Sequence, residues 1–223
     1  MKISPKVSTL LLVLMLLSSC IVPPSTYVKP TFHLLNESTS ENNESVRQGT
    51  VFVESNQTIE GQSFYLRQIE LPYYLQENRI ITRPEKGKIE FRENDRWGEP
   101  LVEGIGRVTG FNLSEFLNSP FYSVYPHRQK IGTQWEVGVT ILRFEKVSGG
   151  RVLLEASWEI FHTGYKNGNY PFKNNNTKIE VDIESPSPGN ESVSYEVDAL
   201  SYSLGKLADR IARAMIYSDS SEF

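Results

Sequence analysis

Trp135-Glu136-Val137-Gly138-Val139-Thr140-Ile141-Leu142-Arg143-Phe144, then Ser148-Gly149-Gly150, then Val152-Leu153-Leu154-Glu155-Ala156-Ser157-Trp158-Glu159-Ile160-Phe161 is the run on which the fold turns. Apolar side chains alternate at Trp135, Val137, Val139 and Ile141, and again at Leu154, Ala156, Trp158 and Ile160, the period of a strand with one buried face. A Ser-Gly-Gly punctuation between two such runs predicts a β-hairpin. Trp135 and Trp158 then belong to the core or to a sheet face.

Before the hairpin the pattern changes period. Over residues 100–117, Leu101, Ile105, Val108, Asn112 and Phe116 fall three or four apart, with Leu113 and Leu117 beside them, which predicts an amphipathic helix with Pro100 in its first turn. Gly104, Gly106 and Gly110 each cost this helix up to about 1 kcal/mol relative to alanine, so packing must hold it more than propensity. Further back, residues 27–35, 51–54, 64–71, 79–83 and 88–92 read as short strands bounded by Gly, Pro, Asn and Asp. Residues 36–49 and 163–177 read as polar loops.

After the hairpin, residues 178–184 alternate again and Ser185-Pro186-Ser187-Pro188-Gly189 is a hard break. Ser192 suits an N-cap, with Glu196 in the following turn. Leu200, Leu204, Leu207, Ile211 and Met215, with Ala208 and Ala212 beside them, make the strongest helical stripe in the chain. The expected fold is α+β: a mixed or antiparallel sheet packed against two main helices in a single domain.

The N-terminus carries a second decisive signal. Lys2 and Lys6 precede an apolar run at residues 10–17, far short of the ~20 residues a spanning helix needs, so the segment reads as a cleaved export signal. It closes on Leu17-Ser18-Ser19-Cys20, and Cys20 is the only cysteine of 223 residues. A lone thiol in an exported protein needs an explanation, and lipidation supplies it. The run resembles the lipobox of bacterial lipoproteins, in which the cysteine is diacylated, the signal is cut before it, and the new amino terminus is acylated. Each buried methylene is worth roughly 0.8 kcal/mol, so several chains hold a protein on a membrane. Ile21 stands where aspartate resembles an inner-membrane retention signal, which points to the outer membrane, facing the periplasm. The expected organisation is a signal at residues 1–19, a lipidated tether at 20–26 stiffened by Pro23 and Pro24, a domain at 27–218 and a tail at 219–223.

Composition narrows the function classes. A net charge of -4, more negative once Lys2 and Lys6 leave, gives no basic stripe for nucleic acid. His33, His127 and His162 are isolated, which argues against a metal site or cofactor. The sequence has no Gly-x-Ser-x-Gly elbow and no phosphate loop, and Glu99 and Glu103 read as a solvated helix face, so no catalytic residue is assigned. Six Asn-x-Ser/Thr triplets, at Asn36, Asn43, Asn56, Asn112, Asn175 and Asn190, read as chance in a chain rich in Asn and Ser.

The middle of the chain resembles a known family. Leu71-Pro72-Tyr73-Tyr74-Leu75, then Ile80-Ile81-Thr82-Arg83, then Asp95-Arg96-Trp97 and Pro100-Leu101 are similar in order and spacing to the PqiC/YmbA family of ABC-transport auxiliary lipoproteins. So are Arg143-Phe144-Glu145, Ala156-Ser157-Trp158 and a final helix with Leu207-Ala208 and Ile211-Ala212. The resemblance spans most of residues 64–217 and leaves 36–63 and 163–177 unmatched. It implies a non-catalytic docking subunit at the outer membrane, bound to an MCE-domain tunnel protein of a lipid-transport system, as a homo-oligomer. Asp95, Arg96 and Trp97 are candidates for partner contact, because Trp and Arg anchor interfaces; the alternative puts Trp97 in the core and Asp95 on a turn cap. Tyr73 and Tyr74 face a partner or cover the sheet end. A periplasmic carrier of lipid or another hydrophobic ligand is the second functional reading, and a cell-surface hydrolase the third.

Overall fold

The computed structural model describes residues 27–37, 63–127, 132–163, 173–184 and 192–219. The signal, Cys20, Ile21, the tether and the strand expected at residues 51–54 lie outside them. In chain order the elements are β1 (Thr31–His33), β2 (Phe64–Leu66), a 3-10 turn (Tyr73–Leu75), β3 (Arg79–Glu85), β4 (Lys88–Trp97), α1 (Leu101–Phe116), β5 (Tyr122–Val124), β6 (Trp135–Val147), β7 (Arg151–His162), β8 (Lys173–Asp182) and α2 (Val193–Asp219). Among the described residues one mixed eight-stranded sheet and two helices form a single α+β domain.

The hairpin is the spine. β6 and β7 pair antiparallel from Trp135↔His162 to Val147↔Arg151, and β8 continues on the far edge of β7. Gly149 and Gly150 have φ of 82° and 69°, a region that favours glycine, which is why the turn carries two. On its other edge β6 takes two parallel partners in succession, β2 against Trp135–Val137 and β3 against Lys146 and Val147. β4 pairs antiparallel with β3, β1 parallel with β4, and β5 parallel with β2. The 3-10 turn lies in the crossing from β2 to β3.

A bulge between Ile141 and Arg143 decides what β6 presents. Trp135, Val137, Val139 and Ile141 point into the core, the extra residue shifts the phase, and Phe144 resumes the core row opposite Leu154. Glu145 is thereby turned to the opposite face.

Both helical stripes bury as the periodicity requires. Leu200, Leu204, Leu207, Ala208, Ile211, Ala212 and Met215 are each at most 2% exposed, and α2 packs on α1, β7 and β8. On α1, Leu101, Ile105, Val108 and Leu113 are buried; Asn112 is 1% exposed, so its triplet offers no surface acceptor. Val124 of β5 explains Gly110 but not Gly106. A Cβ on Gly110 would overlap its Cγ2, and one on Gly106 would stand 3.4 Å from its Cγ1.

The strands differ in extent from the sequence reading at several places. The strand expected at 27–35 narrows to Thr31–His33; Pro30 has no N–H to give a ladder. That at 64–71 narrows to Phe64–Leu66, with an isolated bridge from Glu70 to Thr140. That at 88–92 extends to Trp97, because β1 returns to pair with Asp95, Arg96 and Trp97. That at 178–184 begins at Lys173 and ends at Asp182, so the end of the expected 163–177 loop is strand: Asn174, Asn175 and Asn176 are exposed and held by backbone pairing to β7. β5 was not foreseen, since three residues carry too little alternation to detect.

Candidate functional site: the open face of the sheet

The helices cover one face, and the other bears rows of polar side chains. Gly138, Glu159 and Asn174 stand in one register, Thr140, Ser157 and Asn176 in the next. With Arg67 and Glu70 they line a groove of about 750 Å3. Its charged groups are engaged within the sheet: Arg67 donates to Glu136 Oε2 from Nη2 at 2.6 Å and lies 4.3 Å over the Phe161 ring, and Thr140 Oγ1 donates to Glu70 at 3.0 Å.

Beyond the bulge, on the same sheet, sits the most heavily buried charge cluster. Glu145 is fully buried. Its Oε1 accepts from Arg83 Nε at 2.5 Å and Arg143 Nε at 3.0 Å, and its Oε2 accepts from the Tyr74 hydroxyl at 2.8 Å. Burial first, then the neighbouring Glu145 carboxylate, pushes the Tyr74 hydroxyl well above the usual phenol range, so it remains a donor. A buried carboxylate is costly unless its lone pairs are satisfied, and here three donors from three separate segments do so. Those segments are the tyrosine-leucine, threonine-arginine and aromatic-glutamate motifs of the resemblance.

A second buried carboxylate fastens the helix layer. Glu196, in the first turn of α2 and 1% exposed, accepts from Arg92 of β4 at 2.6 Å. Burial raises its carboxyl above the ordinary value, with Arg92 and Lys146 working the other way. An acid in the first turn also suits the helix dipole.

The predicted site residues separate into two groups. Tyr73 stands 89% exposed on the 3-10 turn, while Tyr74 beside it is half-buried on Glu145. Asp95, Arg96 and Trp97 end β4 instead of forming a loop. Trp97 is core at 7% exposure, its N–H donating to the Asn78 carbonyl at 2.7 Å, and Asp95 bonds His33 Nε2 at 2.9 Å instead of capping a turn. Sequence reasoning did not single out Glu145, Arg83 and Arg143 as a cluster. The available signal was a charged Arg-Phe-Glu step interrupting a strand of strict apolar alternation. Among the described residues no group of three or more His, Cys, Asp or Glu could hold a metal.

A mixed sheet backed by two helices, with a polar open face and its buried acid tied by motif residues, defines a class of small α+β domains. Within it, the family model for the ABC-type transport auxiliary lipoprotein component matches residues 49–212, and the chain belongs to that family. It is thus a lipoprotein and an auxiliary, non-catalytic component of ABC-type transport. Two crystal structures share the fold. One, of an uncharacterized protein, is 16% identical with a TM-score of 0.62, covering 84% of this chain and 99% of its own. The other, from Xanthomonas campestris and assigned to DUF330, is 10% identical with a TM-score of 0.61, covering 87% and 96%. No curated protein matches the chain at a significant level.

Proposed function

We propose that this protein is acylated on Cys20, sits in the outer membrane facing the periplasm, and docks as a homo-oligomer on the end of an MCE-type tunnel protein of a lipid-transport system. Family membership is the observation that carries the reading, because an auxiliary lipoprotein needs a transport partner. The sole cysteine behind a Leu-Ser-Ser run supports the anchor, and Ile21 after it supports the outer membrane. Tyr73, rigidly presented and exposed beside the Glu145 cluster, is a contact residue for that partner, and Arg96 is a second.

The carrier alternative is less well supported. The groove of about 750 Å3 on the open face is lined by Arg67, Glu70, Glu159 and asparagines, whereas an acyl chain calls for an apolar pocket. A detergent pull-down of full-length protein from its own envelope, beside Cys20→Ser, tests the docking reading. Recovery of an MCE-domain protein, with Cys20→Ser released from the outer-membrane fraction, is the expected result. A monomer that ignores the MCE protein encoded nearby removes the reading, and acyl lipid in organic extracts of the pure protein favours the carrier.

A further inference from the structure

We infer that residues 27–34 lie against the head-group layer of the membrane that holds Cys20, so that the domain is oriented on the bilayer as well as tethered to it. The inference rests on the acylation of Cys20 proposed above. Nine large apolar side chains are exposed among the described residues, and four of them, Tyr27, Val28, Phe32 and Leu34, fall within these eight positions. Their exposures run from 52% to 77%.

The strip is built into the fold. Among the described strands β1 pairs with β4 alone, Leu35 is core, and His33 turns inward to Asp95. Phe32 and Leu34 therefore share the outward row. Arg107 of α1 pins the segment by donating to the Leu35 carbonyl at 2.9 Å, and the Asn36 N–H donates to Ser201 of α2 at 3.0 Å. Proteins usually blunt an edge strand with charge; an apolar outward row is the kind of surface that something covers.

Chain length identifies the cover. Seven residue steps lead from Cys20 to Tyr27, which fully extended reach about 25 Å, less than the thickness of the hydrocarbon core. The strip cannot leave the vicinity of an anchored bilayer. Its chemistry suits the interface: aromatics at Tyr27 and Phe32, aliphatic residues at Val28 and Leu34, and Lys29 for anionic head groups.

The test uses the acylated full-length protein. Acylation occupies its one native thiol, so a cysteine introduced by Val28→Cys or Phe32→Cys takes a fluorophore alone. Tyr217→Cys is the control: Asn36 binds α2 at Ser201, and Tyr217 lies about 24 Å farther along that helix. Protein in phosphatidylethanolamine and phosphatidylglycerol vesicles carrying a head-group-proximal spin-labelled lipid should show several-fold stronger quenching at positions 28 and 32 than at 217. Equal quenching at all three overturns the inference, as does a label at 28 or 32 that is shielded before vesicles are added, which would assign the strip to a second copy. Mass spectrometry of the Cys20 peptide separates the two levels. An unmodified Cys20 removes the anchor and this inference together, while an acylated Cys20 with unquenched labels removes this inference only.

Discussion

The Tyr74 hydroxyl donates to Glu145 at 2.8 Å across 71 positions of sequence, joining the 3-10 turn to the open face of β6. With Arg83 and Arg143 it satisfies a carboxylate that has no access to water. Removing members of the set should cost unequal amounts. Tyr74→Phe loses one bond to a charged acceptor, about 1.5–3 kcal/mol, whereas Glu145→Gln takes the buried counter-charge from Arg83 and leaves Arg143 with Glu155 at 3.9 Å, about 3–5 kcal/mol. Urea unfolding of the two variants should rank them in that order; two near-neutral variants would show that the cluster does not hold the turn.

Glu196 sets a pH dependence. Its folded value is raised above the ordinary 4.5, so between 4.5 and that raised value the native state holds more protons than the unfolded one. Its contribution is fully present below 4.5 and is lost as pH rises through the folded value. The difference in stability between wild type and Glu196→Gln, followed by denaturation across the carboxylate range, should narrow or change in favour of the glutamine variant as pH rises. Parallel curves would remove Glu196 as the source.

Two glycines on one helix should answer oppositely to the same substitution. Gly106→Ala adds a Cβ in ordinary contact with Val124 and gains helix propensity, up to about 1 kcal/mol. Gly110→Ala drives a Cβ into Val124 and should lose about 1–3 kcal/mol through overpacking. Thermal melts of the pair check this, and a destabilised Gly106→Ala would contradict the packing described for β5.

Tyr73 and Trp97 separate contact from architecture. Tyr73→Ala, at an 89% exposed site, should leave stability within about 0.5 kcal/mol and lower recovery of the transport partner. Trp97→Ala removes a core side chain and should cost about 3–5 kcal/mol. Unfolding curves with parallel pull-downs would read both; undiminished partner recovery with Tyr73→Ala would take this residue out of the interface.

Much of the fold was legible because burial on one face leaves a periodic mark. The hairpin, both helices and the placement of Trp135 and Trp158 follow from alternation and from stripes three or four residues apart. The candidate site was legible only piecewise. Tyr74, Arg83 and Glu145 stand in separate motifs, and their convergence depends on β6 accepting β2 and β3 in succession along one edge. The Asn174–Asn176 strand left no apolar trace, since an exposed edge is held by its backbone.

The sequence by itself determined the α+β class, the helix-facing rows, the glycine turn and the lone cysteine behind an apolar N-terminal run, because each is written in neighbouring residues. The tertiary structure alone decided that Asp95, Arg96 and Trp97 finish a strand under β1, that one bulge turns Glu145 to the open face, and that Phe32 and Leu34 share an uncovered edge. Those outcomes come from strand partners dozens of residues apart. Local periodicity says which face of a strand is buried, and it carries no information on which strand lies beside it.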